Sequence, residues 1–252
     1  WQGKVLLGTT DTPGPQVDWE PRALESEIDQ ILQEAAKYLV KVPLRSDVVS
    51  VWAGLRPLAR SDEQSKEQGA THNVSREHTV KVASNGLVSV TGGKWTTYRA
   101  MAADVMQSIR KAQLISLTSE DVTLQTKLWG APALELGQGP SQGLQMDGAT
   151  ASSAVSPYGT NAELLASLPG AEQGLAPLPS TQLSEAMVRF AARYEYARTV
   201  EDVLARRNRL LFLDAKAALA VAPQVAAILS TETGVSPQLE AFEALAKSYQ
   251  MP

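Results

Sequence analysis

Residues 79–109, TVKVASNGLVSVTGGKWTTYRAMAADVMQSI, place two short strands, a glycine turn and a helix in one unbroken run. Thr79–Val82 and Leu87–Thr91 are rich in β-branched residues and flank Ser84-Asn85-Gly86. Asn-Gly between two such runs supplies the positive φ angles of a tight turn and predicts a β-hairpin. Gly92-Gly93-Lys94-Trp95-Thr96-Thr97-Tyr98-Arg99 follows the second strand directly. Tyr98, Met101, Ala102, Val105 and Ile109 then recur at helical spacing and predict a helix with one apolar face.

Upstream, Val5–Thr10 reads as a strand ending in a Thr-Pro-Gly-Pro turn region. Leu24, Ile28, Ile31, Leu32, Ala35 and Leu39 predict an amphipathic helix over 22–40, with Pro21 near its first turn. Val48–Leu58 is an apolar, β-branched run that reads as a buried strand, and the polar residues 60–75 read as a surface loop. The chain opens on WQGKVLLGTTD, which reads as the middle of a protein, so a fragment is expected.

Downstream, residues 114–156 read as a linker whose Gly130–Ser156 part is rich in Gly, Pro, Ser, Gln and Ala. All five tryptophans precede residue 130. From 157 to 252 nearly everything reads as helix. Thr160 with Glu163 and Thr199 with Asp202 have capping-box spacing. Met187, Phe190, Ala191 and Tyr194 form one apolar stripe. Leu219, Ala222, Val225, Ala226 and Leu229 form another that Thr233-Gly234 ends, and Pro237 opens a last helix with Leu239, Phe242, Leu245 and Tyr249. The expected fold class is α+β: a partial substrate-binding sheet with flanking helices, then an all-α domain.

Composition narrows the chemistry. The 252 residues carry 23 Lys plus Arg and 27 Asp plus Glu, and a net charge of -4 gives no electrostatic case for nucleic acid. With no cysteine, disulfides, thiolate metal sites and a cysteine nucleophile are excluded. No metal site is expected, and no run approaches the ~18 apolar residues of a membrane span. Gly137, Gly139 and Gly143 lack the G-x-G-x-x-G spacing, and Pro140 interrupts them, so they read as linker.

The Gly92–Arg99 segment is the strongest chemical candidate. Two glycines let a ligand approach the backbone, the first helical turn presents free N–H groups, and Lys94 adds a cation. That set suits a phosphate or the edge of a reduced flavin, although a strand-to-helix turn also uses glycine for geometry alone. Arg56, at the end of an apolar run, and Arg76, before the hairpin, read equally as ion-pair partners or as ligand contacts. With Lys94 they could converge on one small dianion. His72 and His78 are the only histidines, both in polar surroundings, and no catalytic base is assigned. Arg206, Arg207 and Arg209 read as a solvated face paired with Glu201 and Asp202. The alternative for them is contact with lipid headgroups or with another part of the protein.

Together the motifs LGTTD (7–11), AGLRPL (53–58), SREH (75–78), VTGGKWTTYR (90–99), YGTN (158–161) and ARTVEDVLARR (197–207) resemble the FAD-dependent, aerobic respiratory glycerol-3-phosphate dehydrogenases, specifically their C-terminal half. The resemblance implies a flavin domain of Rossmann type, discontinuous in sequence, joined to a substrate domain with an antiparallel sheet. Residues 1–113 would hold a piece of the substrate domain together with a returning flavin-domain segment at about 92–111. A linker over 114–156 and a helical domain over 157–252 would follow.

The resemblance also implies site roles. Arg56 would face both the flavin and the substrate oxygens, and Arg76 and Lys94 would hold the substrate phosphate. Gly92, Gly93, Lys94, Trp95 and Thr96 would border the flavin. Glycerol 3-phosphate would become dihydroxyacetone phosphate by hydride transfer to FAD, with electrons passed to a quinone. The missing N-terminal half would be a partner, and the chain alone is not expected to be active. The implied location is cytoplasmic, or peripheral on the inner face of the plasma membrane. A glycerol-3-phosphate oxidase fragment and a non-catalytic interaction module are the alternatives.

Overall fold

A computed structural model describes residues 1, 3–12, 18–55, 77–116, 119–131, 158–171 and 183–251. Its main elements in chain order are α1 (Glu25–Ala36), β1 (Thr79–Val82), β2 (Val88–Thr91), α2 (Tyr98–Lys111), α3 (Ala162–Ala166), α4 (Glu185–Tyr194), α5 (Leu210–Leu213), α6 (Ala215–Thr233) and α7 (Leu239–Ser248). A short two-stranded sheet among helices makes the class α+β. The chain forms two compact units, one of residues 1–11, 19–53 and 129–252, the other of 12–18 and 54–128.

In the first unit α6 is the central helix, with α4, α5 and α7 against it. Of the predicted stripe Ala222, Val225, Ala226 and Leu229 are buried and Leu219 is half-buried, with Ala218 and Val221 buried beside them. Asp214 caps its start by accepting from the Ala217 amide at 3.0 Å, and Gly234, at φ +68°, ends it where a side chain would be strained. Pro223 lies on the exposed face, where water can serve the carbonyl whose amide partner is lost. Phe242, Leu210, Leu211 and Val200 complete the core. A second cluster gathers Leu168, Ala186 and Phe190 beside Tyr158. Burial pushes the Tyr158 hydroxyl up to about 12, helped by the nearby Glu195 charge.

Thr199 and Asp202 form the reciprocal box their spacing predicts. The Asp202 carboxylate accepts from the Thr199 amide at 2.9 Å, and the Thr199 hydroxyl accepts from the Asp202 amide at 3.1 Å. Burial raises the Asp202 pKa, but the Arg198 and Thr199 amides, the Thr199 hydroxyl and Arg206 outweigh it, so the carboxyl lies below its usual range. The following turn, Asp202–Arg207, is π-helical. Thr160 does not cap: the helix there starts at Ala162, after a 3-10 turn, with no side-chain hydrogen bond at its N-cap. The last helix starts at Leu239, two residues after Pro237, whose carbonyl accepts from the Val200 amide instead.

Among the described residues neither strand expected near the N-terminus forms. Residues 5–10 form no ladder, and Val5 is 79% exposed. Residues 48–55 run without regular structure, and their backbone bonds go to helix ends. The Val49 carbonyl accepts from the Ala215 amide, and the Val51 amide donates to the Tyr249 carbonyl at 2.8 Å. The Ser50 hydroxyl donates to the Leu211 carbonyl and accepts from the Ala215 amide. Trp52 then sets its ring edge-on to Phe212, 5.3 Å between centroids. The helix expected over 22–40 is shorter, Glu25–Ala36.

The second unit holds the hairpin and α2. β1 and β2 pair antiparallel with Thr79 opposite Thr91 and Val82 opposite Val88. The loop is three residues long, Ser84-Asn85-Gly86. The Ala83 amide donates to the Leu87 carbonyl, Gly86 sits at φ +86°, and Asn85 Oδ1 accepts from the Leu87 amide. Helix α2 lies against both strands, and Arg110 and Lys111 complement the negative end of its dipole.

Candidate functional site

The Gly92–Arg99 segment leaves β2 and enters α2 through a turn built almost wholly by local geometry. Gly92 and Gly93 both take positive φ, +75° and +86°. Residues Trp95–Thr97 form one 3-10 turn that runs into α2. The Thr97 amide and hydroxyl both donate to the Lys94 carbonyl at 3.0 Å, which pins the backbone of the lysine.

Gly93 is a glycine for two reasons. Its φ disfavours a side chain, and a Cβ there would lie 2.6 Å from the Met101 sulfur and 3.1 Å from the His78 Cβ. His78 Nε2 lies 2.8 Å from Asp104 Oδ2, so the turn backs onto a bridge between the start of β1 and the body of α2. An ionised carboxylate only accepts, which puts the proton on Nε2.

The electrostatics favour an anion. No acidic residue stands in the first turn of α2, and no side chain caps that helix or the 3-10 turn before it. The amides and the positive dipole end therefore face outward beside the exposed Lys94. Trp95, 86% exposed, stacks on Tyr98 at 5.5 Å and 28°, giving a flat apolar shelf next to the turn. Tyr98, expected on the buried face of the helix, is in fact half exposed. An ionised phosphate, or a flat ring whose edge gains negative charge, fits this combination of amides, cation and aromatic shelf.

Five of the sequence-derived site residues, Gly92, Gly93, Lys94, Trp95 and Thr96, are brought together here by chain continuity. Arg56, Arg76 and His72 lie outside the described residues, as do Gly137, Gly139 and Gly143. Asp104 was not legible as a site residue. The helical periodicity places Asp104 three positions after Met101, but its partner is 26 residues away.

The Arg206–Arg209 cluster is engaged internally. Arg206 pairs with Glu201 at 2.5 Å and Asp202 at 2.9 Å, as the solvated-face reading predicts. Arg207 turns instead to Glu195, at 3.8 Å, and the Arg209 guanidinium lies 5.7 Å from the centre of the Trp1 ring. Among the described residues no helix is long and apolar enough to cross a membrane.

A family model described as FAD dependent oxidoreductase matches residues 1–99, and one described as the C-terminal domain of alpha-glycerophosphate oxidase matches residues 121–240. A mitochondrial glycerol-3-phosphate dehydrogenase of Arabidopsis thaliana is 35% identical over 250 residues, covering 92% of this chain and 39% of its own length. Its counterpart in Saccharomyces cerevisiae is 32% identical over 249 residues, covering 87% of this chain and 38% of itself. The human mitochondrial enzyme is 34% identical over 245 residues, covering 92% and 32%. The chain thus spans only a third to two fifths of the length of these relatives. Their names place them in mitochondria, which overturns the expectation of a cytoplasmic protein or one on the inner face of the plasma membrane. Residues 1–99 are thus similar to FAD dependent oxidoreductases and residues 121–240 to the C-terminal domain of alpha-glycerophosphate oxidase, and the chain through most of its length is similar to glycerol-3-phosphate dehydrogenases.

Proposed function

We propose that the protein takes part in the FAD-dependent oxidation of glycerol 3-phosphate to dihydroxyacetone phosphate, with a quinone receiving the electrons. The observation that carries the reading is the turn itself: two positive-φ glycines and Lys94 at the uncapped, acid-free start of a 14-residue helix. That chemistry fits a flavin edge and a phosphate equally well. FAD, when bound, would supply the two-electron oxidant for C2 of the substrate, and the glycines, the helix-start amides and Lys94 would hold it and the substrate in place.

In this reading the chain's own residues bind and orient. The glycines leave room for a ring to approach the backbone, and the amides of Trp95 and Thr96 offer hydrogen bonds to an edge that becomes negative. Lys94 attracts the substrate dianion, Arg76 is proposed to share that phosphate, and Arg56 to face the flavin and the substrate oxygens. Charge-assisted hydrogen bonds to the phosphate would fix the position of C2. The domain assignment proposed with this is a substrate-domain piece and returning flavin segment over 1–113, a linker over 114–156 and a helical domain over 157–252.

The match of residues 121–240 to a domain named for alpha-glycerophosphate oxidase keeps oxygen as the alternative acceptor. A steady-state assay of the full-length protein loaded with FAD separates the two. Turnover with a short-chain quinone, with dihydroxyacetone phosphate as product, supports the dehydrogenase. Strict oxygen dependence with release of hydrogen peroxide moves the protein to the oxidases. No turnover with either acceptor overturns the proposal.

A further inference from the structure

The described site residues form one contiguous segment, and such a segment keeps its shape only if something outside it holds it. Two features hold this one. The Lys94 carbonyl is bonded twice by Thr97, which fixes the outgoing side. On the incoming side Met101 and His78 fill the space that a side chain on Gly93 would need, and His78 is bonded through Nε2 to Asp104. Asp104 lies on α2, ten residues beyond Lys94, and His78 lies one residue before β1. The bond therefore closes a loop that contains the hairpin, both glycines and Lys94, and it is the side-chain tie at 2.8 Å between the two ends of that loop. The His78 side chain is 21% exposed and the Asp104 side chain 56%, so water reaches the bond from the Asp104 side.

Among the described residues of this unit none is buried, and its two-stranded hairpin, a form marginal in water without added packing, rests on α2. A charge-assisted hydrogen bond is about twice as strong as a neutral one, so this tie carries weight where apolar burial is sparse.

We propose that His78 and Asp104 are a positioning pair: their hydrogen bond holds the Gly92–Gly93 turn, and through it Lys94, in the conformation that faces flavin and substrate. The proposal rests on the functional reading above. The pair acts through the turn. Asp104→Asn keeps an oxygen acceptor for Nε2, whereas Asp104→Ala removes it. Loosening the turn moves the helix-start amides away from the position where they favour the reduced, more negative flavin.

The test uses the full-length protein loaded with FAD, as wild type, Asp104→Ala, Asp104→Asn and His78→Gln. The midpoint potential of the bound flavin is measured by anaerobic reductive titration, which needs no substrate, and flavin bleaching by glycerol 3-phosphate is followed separately. The expected result is a tenfold loss of preference for reduced flavin in Asp104→Ala, about 30 mV toward lower potential for two electrons. Bleaching at saturating substrate slows with it, and Asp104→Asn, which keeps the acceptor but not its charge, restores part of both. Unchanged potential and bleaching rate in Asp104→Ala, with only a lowered melting temperature, would show a purely structural bond and overturn the proposal. Equal losses in Asp104→Asn and Asp104→Ala would also overturn it. If wild type retains FAD but is not bleached by glycerol 3-phosphate, the substrate reading fails, and the potential of Asp104→Ala still decides whether the pair shapes the flavin site.

Discussion

The two units solve the problem of order in opposite ways. Around α6, Leu183, Leu204, Leu210, Leu229 and Phe242 are at most 1% exposed, and the helices are held by what they bury together. In the hairpin unit no described residue is buried, and shape comes from turn chemistry, the positive-φ glycines Gly86, Gly92 and Gly93, and the His78–Asp104 bridge. A buried apolar side chain contributes about 1.5–3 kcal/mol, against about 1 kcal/mol for a typical hydrogen bond. The helical unit is therefore built for stability, and the hairpin unit leaves backbone amides, an aromatic shelf and a lysine open to a ligand.

Substitutions can break this contrast. Phe242→Ala should lower the unfolding free energy by about 3–5 kcal/mol in denaturant titrations, because the cavity adds to the lost transfer energy. Val80→Ala in the hairpin should cost about 1 kcal/mol or less, the span of strand propensity in a partly exposed sheet. Equal costs at the two sites would contradict the division of labour.

Electrostatics sharpen the same contrast. In the helical unit Glu232 ties α6 to α4 by accepting from Arg193 and Arg189, at 2.6 Å to each, with its own side chain 8% exposed. Glu232→Gln should cost about 2 kcal/mol by weakening two charge-assisted bonds. The Arg193 hydrogen bond, against burial and with help from Arg189, holds the Glu232 carboxyl below its usual range. A depressed carboxylate adds stability above the unfolded value, near pH 4.5, and loses it as pH falls through the folded value. Wild type should therefore lose more stability than Glu232→Gln on acidification below pH 4.5, and parallel acid melting curves would contradict this.

Two smaller effects separate local from tertiary order. Gly93→Ala forces a side chain to φ +86° and should cost roughly 1–2 kcal/mol, with flavin retention falling further than stability. Ser184→Ala removes the hydroxyl that accepts from the Met187 amide at 3.3 Å and should cost about 1 kcal/mol in thermal melts, with flavin retention unaffected.

What the sequence made legible follows the same line. Asn85-Gly86 announced the hairpin, Thr199 with Asp202 announced a helix start, and the 219–229 stripe announced α6. Each is a pattern whose partners lie within a few residues. The apolar run from Val48 misled, because β-branched residues read alike whether their amides bond to a strand or to helix ends near 215 and 249. The Gly92–Thr96 turn was visible because its parts are consecutive. The support beneath it, His78 with Asp104, was not, since a bond between positions 26 apart leaves no local spacing to read. The tie from Glu232 to Arg189 and Arg193 escaped for the same reason.

Lys94 gives the most direct test of the functional account. Full-length protein with FAD bound, kept free of oxygen, is mixed with glycerol 3-phosphate, and the flavin absorbance is followed in wild type and Lys94→Ala. The account predicts rapid bleaching in wild type, with apparent substrate affinity falling roughly tenfold to a hundredfold in the variant, as expected for losing a hydrogen bond to a charged group. Bleaching with unchanged affinity in Lys94→Ala, or none in a wild type that retains its flavin, would contradict it.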